Sequence, residues 1–294
     1  FEGRGPEALP ELDWWLAPLP EGLEMWRMGI RFLALRAQPG EAEALEQARS
    51  WARSPERLAR WKGWMGNFLY RQQKYVEAAR MHEESGSGRK TPDTRLTAQR
   101  AAAAAWLEEG ELERAHQLAA TVREGAESLG QPALEALAEW LERSAAWRMG
   151  RPPAPDWERI EAAAVLKPTL GGLLALNDAA IARHQGQVEL AIPLVQRAEY
   201  LLEGNHTMGA ALAGCLRMSL VGGELEEAQK LAHTLRQGSM PGLLIQGLAL
   251  LSDRLPGPWT AEIEALLSTR PVSRWEDRLE ILSYAQCRER CRTL

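Results

Sequence analysis

An all-α fold of stacked helix–turn–helix repeats is predicted by three features of this 294-residue sequence: a period near 37 residues, helical spacing inside each period, and no strand-like alternation. GELERAHQLAATVREG, starting at Gly110, and GELEEAQKLAHTLRQG, starting at Gly223, are identical at ten of sixteen positions. GQVELAIPLVQRA at Gly186 and QKYVEAARMHEES at Gln73 are further copies. Their alanines Ala78, Ala115, Ala191 and Ala228 are separated by 37, 76 and 37 residues. The middle interval is about twice the others, so a divergent unit is expected inside it. Another step of 37 reaches Ala265. Self-similarity of this kind is the mark of a repeat architecture.

Each period reads as two helices. RLTAQRAAAAAWLEE, before Gly110, is rich in alanine, the best helix former. After Gly110, the residues Leu112, Ala115, Leu118, Ala119 and Val122 recur at three- and four-residue steps and form one face. Gly110 stands where a left-handed helix cap would fall, and the same pattern surrounds Gly186 and Gly223. Small residues at Ala103, Ala115, Ala179, Ala191 and Ala228 allow helix A and helix B to approach closely. Neither helix can bury its apolar face alone, so stacked neighbours must share a core. β-Branched residues are sparse.

The periodicity places repeats near 22–54, 56–86, 94–127, 131–167, 170–203, 207–238 and 240–269, with a closing helix at about 274–290. Residues 1–21 are expected to form an extended segment carrying Trp14, Trp15 and Leu16. Residues 22–270 then form the repeat array, and 271–294 a capping helix and tail. Pro152, Pro153 and Pro155 must separate helix A from helix B in the divergent unit. Ser85–Asp93 reads as a loop from its Ser, Gly and Pro content. The chain starts at Phe1 without a signal-peptide pattern, which suggests a segment of a longer protein.

Composition excludes several classes. Hydrophobic residues make up 45% and charged residues 26%, a balance suited to a folded protein rather than a disordered one. A net charge of −5 argues against a dedicated nucleic-acid binder, which needs a basic face. No apolar run has the ~18–20 residues of a membrane span. Cys215, Cys287 and Cys291 are too few for a disulfide framework and read as free thiols of a reducing cytoplasm. The five histidines are scattered, and no phosphate loop, HExxH or nucleophile elbow is present, so no metal, cofactor or catalytic residue is expected. Acidic pairs such as Glu108–Glu109 and Glu226–Glu227 sit beside turns, where a solvated face or the helix dipole explains them.

The repeat resembles the tetratricopeptide repeat. The matching residues are Gly66, Tyr75 and Ala78; then Ala103, Trp106, Gly110, Leu112 and Ala115; then Ala179, Gly186, Val188 and Ala191; then Gly223, Leu225 and Ala228. The resemblance spans roughly 22–270, and its period is near 37 rather than 34. It is similar to the repeat domains attached to bacterial signalling ATPases, transcription regulators and kinases. It implies a right-handed superhelical solenoid of six to seven repeats with a C-terminal capping helix. It also implies a concave face lined by A helices, where a protein or peptide binds.

Polar residues projecting from the A helices are the candidate contacts. They are Trp64, Asn67 and Arg71; Arg100; Asn177 and His184, with Ile181 between them; and Arg217. Asparagine offers a donor and an acceptor to a peptide amide, and arginine grips a carboxylate bidentately. Gly63 and Ala101 replace the lysine and second asparagine of the family's carboxylate clamp, so a chaperone-tail clamp is not expected. The pairs Trp61–Trp64 and Trp140–Trp147 are expected as pegs between repeats or as docking anchors. The sequence therefore points to a binding module, a sensor, scaffold or autoinhibitory segment of a larger bacterial protein. The competing class is an α-helical enzyme domain without a recognisable motif, which would show converging titratable groups in a pocket.

Overall fold

The computed structural model describes residues 29–31, 40–151, 153–237, 241–255 and 257–268. The expected extended segment 1–21, the closing helix at 274–290, Cys287 and Cys291 lie outside the described residues. Among the described residues the secondary structure is helical, with no strand. The chain divides into two compact units, Phe1–Leu129 and Gly130–Leu294. The first holds α1 (Glu41–Trp51), α2 (Pro55–Arg71), α3 (Tyr75–Ser87), α4 (Pro92–Glu109) and α5 (Leu112–Ser128). The second holds α6 (Pro132–Arg148), α7 (Trp157–Leu166), α8 (Pro168–His184), α9 (Val188–Leu202), α10 (Thr207–Val221), α11 (Leu225–Gln237), α12 (Pro241–Ser252) and α13 (Trp259–Ser268). Even-numbered helices are the A helices of the repeats, and odd-numbered ones the B helices.

Within each unit a helix packs on its neighbours in sequence. In the second unit each A helix also touches the next, α6 with α8, α8 with α10, and α10 with α12. This nearest-neighbour pattern is that of a helical repeat solenoid.

Local chemistry sets the helix boundaries. Five A helices, α2, α4, α6, α8 and α12, begin with proline, whose fixed φ suits the first helical position and whose missing N–H has no partner there anyway. Ser54 caps α2 by accepting the Arg57 N–H at 3.2 Å, and the α10 cap is His206 Nδ1, which accepts the Gly209 N–H at 2.9 Å. Five of the connections from A to B contain a residue with positive φ: Gln73 (φ 59°), Gly110 (94°), Gly150 (76°), Gly186 (74°) and Gly222 (80°). In the later copy the left-handed residue is thus Gly222, one residue before the expected Gly223.

The anchoring alanines sit where A and B meet. Ala78, Ala115, Ala191 and Ala228 are each fully buried, and each is the fourth residue of its B helix. In the divergent unit the fourth residue of α7 is Ile160, also buried. The lattice fails at its last step. Ala265 is exposed, and α13 instead turns Trp259 and Ile263 inward, because an indole at the helix start resets the buried face.

The expected loop Ser85–Asp93 is also shorter than its composition implies. Ser85–Ser87 continue α3, and Pro92 already begins α4. The small residues there are a packing face. Ser85 is fully buried, donates its hydroxyl to Ala59 O at 2.6 Å, and lies against Gly63 of α2.

Ion pairs fasten the B helices to one another. Arg114 of α5 grips Glu83 of α3 with contacts of 2.8 and 3.0 Å. The indole N–H of Trp106 donates to the same carboxylate at 2.8 Å, and the Arg114 guanidinium stacks 4.0 Å from the Trp106 ring. In the second unit Arg197 of α9 grips Glu161 of α7 at 2.8 and 2.5 Å, and Arg236 of α11 grips Glu262 of α13 at 2.7 and 2.6 Å. Replacing Ala115 or Ala228 by tryptophan should lower the melting temperature, since overpacking such a contact costs ~1–3 kcal/mol or more; unchanged melting of both variants would place the helix contact elsewhere.

His82 gives the fold a pH dependence. Its ring is buried over Gly66, so close that a methyl group on Gly66 would lie within 2.7–2.9 Å of it. Burial, reinforced by the positive charge of Arg100, lowers its pKa to about 4. The unfolded chain therefore binds this proton first as pH falls below ~6.5. The resulting loss of stability grows between pH 6.5 and 4 and amounts to roughly 3 kcal/mol below that window. Denaturant melts at pH 7 and pH 4.5 should show this slope in the wild type and a shallower one in His82→Leu.

Candidate functional site

In the second unit the A helices lie side by side, and the seam between α6 and α8 carries the polar groups of interest. The α8 sequence LGGLLALNDAAIA is apolar except for Asn177 and Asp178. Two consecutive polar residues on α6, Arg143 and Ser144, meet them. Arg143 donates to Asp178 Oδ1 through Nε at 3.2 Å and Nη2 at 2.7 Å. The same guanidinium donates to Ala154 O at 2.7 Å, and Asp178 Oδ2 accepts the Asp156 N–H at 3.2 Å. The pair thus ties the proline-rich connection to both helices. Burial pushes the Asp178 carboxyl above its ordinary pKa, and Arg143 opposes the shift. The residue is fully committed to structure.

Asn177 is not. It is only 9% exposed, and among the described residues its side chain has one hydrogen-bond partner, Ser144, 3.2 Å from its Oδ1. The Ser144 hydroxyl has one proton, and Trp140 O competes for it at 2.7 Å. Among the described residues Asn177 Nδ2 is buried with no hydrogen-bond partner. Turning the amide over lets Nδ2 donate to Ser144 Oγ but leaves the carbonyl oxygen unmatched instead. In either orientation one amide atom is unsatisfied, which buried side chains rarely tolerate. Two turns along α8, exposed His184 meets Trp147 of α6 edge to face, with ring centres 6.1 Å apart. Asn177, His184, Ser144 and Trp147 therefore share one seam.

The remaining candidates divide. Arg71 is paired with buried Glu41 of α1, and Trp64 lies against Gly29. Arg217 is held by Glu199 of α9, at 3.0 Å from each oxygen, and by Glu227 of α11. Arg71 and Arg217, expected as groove contacts, are both turned to carboxylates of B helices. Asn177 is buried, with Ser144 of α6 against it. Asn67 is exposed on α2, and Arg100 is half-buried on α4. Of the tryptophan pairs, Trp61 is a peg: its indole N–H donates to Leu45 O at 2.9 Å, and Trp140 packs against the core.

Other reactive groups are occupied or masked. Burial pushes the Cys215 thiol up to about 12, so it stays protonated and unreactive near neutral pH. Among the described residues no three His, Cys, Asp or Glu side chains gather as a metal site requires. No helix among them is long and apolar enough to cross a membrane. The Arg143–Ser144 half of the seam escaped the sequence reading. The signal available was the polar pair in α8, which needs polar partners once buried.

The chain is similar in fold to a Rap protein. The crystal structure of that protein complexed with competence and sporulation factor superposes with a TM-score of 0.69, over 96% of this chain and 89% of the Rap chain. Identity is 10%, so the likeness is one of fold. No protein-family profile matches the sequence. No curated protein sequence matches it either. The Rap likeness agrees with the repeat organisation seen in each unit.

The seam makes a differential prediction. Asp178→Ala leaves Arg143 buried without its anion and should cost ~3–5 kcal/mol, as breaking a buried pair does. Asn177→Leu removes an unsatisfied amide and should leave the melting temperature unchanged or higher. Equal losses from both substitutions would show that the Asn177 amide is a structural bond.

Proposed function

We propose that this chain is a protein- or peptide-binding repeat module, and that the A-helix seam at Asn177 is where an extended peptide docks. The observation that carries the reading is the unmatched amide of Asn177. A peptide backbone offers a carbonyl and an N–H within one unit, so it satisfies whichever amide atom is spare. Trp147 and His184, two turns along the same seam, give an amphipathic aromatic edge of the kind favoured at interfaces. The fold likeness to a Rap protein crystallised with competence and sporulation factor supports a binding role over a catalytic one. In the ligand-free chain the spare atom is shielded, so docking requires the Asn177 side chain to rotate or α6 to part from α8. The module then reads as the sensor, scaffold or autoinhibitory part of a larger bacterial signalling protein working in the cytoplasm.

The test is a display selection of random peptides on the whole chain, followed by affinity measurement of the selected sequences. Asn177→Leu should weaken binding at least tenfold, which corresponds to about 1.4 kcal/mol, while melting as the wild type does or later. A selected peptide that binds Asn177→Leu and Trp147→Ala as tightly as the wild type would remove the seam as the docking site.

A further inference from the structure

The first B helix of the second unit, α7, is apolar on two sides. Ile160 and Ala163 face the core and are buried. Trp157, Ala162, Val165 and Leu166 cover the opposite side and are exposed, Val165 to 87%. A helix that is apolar all round is normally covered all round. Tyr200 of α9, 70% exposed, extends the patch: Arg197 ties α9 to Glu161 of α7, and its guanidinium lies 5.3 Å from the Tyr200 ring. Of the eight large hydrophobic residues exposed among the described residues, four are thus gathered on this face of α7 and α9. Contiguous apolar surface rimmed by polar groups marks an interaction site, whereas single exposed residues do not. The rim is ordered by sign along α7. Asp156 and Glu158 stand at its start and Lys167 directly after its end, all exposed. Glu161, in the middle, is already neutralised by Arg197.

We propose that this face joins two copies of the chain, α7 of one packing antiparallel on α7 of the other about a two-fold axis near Ala162. Charge complementarity selects the occupant. A two-fold axis reverses one α7 against the other and sets the acidic start of each beside Lys167 of the other copy. A parallel pairing would set like charges together, which is unfavourable. Small Ala162 at the crossing lets the helices close, and Trp157 of each copy then meets Val165 and Leu166 of the other. Opposed helix dipoles favour the same arrangement. A ten-residue helix extends only ~15 Å, so even with Tyr200 the contact falls below the ~1,200 Å² of a standard interface, and the dimer is a weak, concentration-dependent one. The face is built on B helices and stands independently of the Asn177 seam between A helices.

Sedimentation of the whole chain over roughly 10 to 500 µM tests the proposal. The average mass should rise toward twice that of the monomer as concentration increases. Val165→Glu should raise the dissociation constant at least tenfold while melting as the wild type does. Glu158→Lys and Lys167→Glu should each weaken association, because each sets like charges against one another across the axis. An equal mixture of these two variants should associate more tightly than either alone, since in the mixed dimer both contacts again join opposite charges. A chain that stays monomeric throughout overturns the proposal and leaves the face to a different protein. Association that Val165→Glu and Glu158→Lys leave untouched also overturns it, because the contact then lies on another face. A fall in the melting temperature of Val165→Glu overturns it as well, since the face would then be covered within one chain. A mixture no tighter than its components refutes the antiparallel pairing.

Discussion

Close approach of helix A to helix B at a buried small residue is the constraint on which the rest of this structure depends. Ala78, Ala115, Ala191 and Ala228 have no exposed surface, and each stands one turn inside its B helix. With so little distance between axes, larger side chains fit only where the partner gives up its own. Gly66 yields to His82, and Gly63 to Ser85. The same closeness explains why Ser85–Ser87 are helical despite their loop-like composition: small residues here make contact area rather than chain freedom. Five of the turns follow from it too, since a residue with positive φ helps reverse the chain tightly enough to return helix B onto helix A.

A close-packed helical array must dispose of its charges, and it does so in two ways. Exposed pairs between B helices, such as Arg197–Glu161 and Arg236–Glu262, contribute little each, because water screens them. Enclosed pairs, such as Arg143–Asp178, are costly to break rather than strongly stabilising to make, because removing either partner leaves a stripped charge. Polar groups that the packing leaves unmatched stand out against this allocation. Among the described residues Asn177, on the A helix α8, is such a group: one of its amide atoms has no hydrogen-bond partner.

Much of the fold was legible because the repeat is a one-dimensional problem. Each pair of helices buries its face against its neighbours, so the spacing of small and apolar residues along the chain reports the contacts directly. Ala265 escaped this logic because Trp259 fills its region and rotates α13, an effect of bulk that periodicity does not register. The proline at the first position of five A helices was an equally regular signal that the alanine lattice overshadowed.

The candidate site was less legible, for a reason that lies in distance along the chain. The sequence by itself determined the helix class, the pairing of A with B, the buried alanines and the presence of asparagine and arginine on A helices, since all of these are set by residues within one period. Only the tertiary structure decided which polar groups are spent. Arg71 meets Glu41 thirty residues away, Asp178 meets Arg143 thirty-five away, and Arg183 meets Asp253 seventy away. A helical period says which side of a helix a residue occupies. It does not say whether a long arginine bends toward a neighbouring carboxylate, because that choice is made by the electrostatics of side chains brought together only on folding.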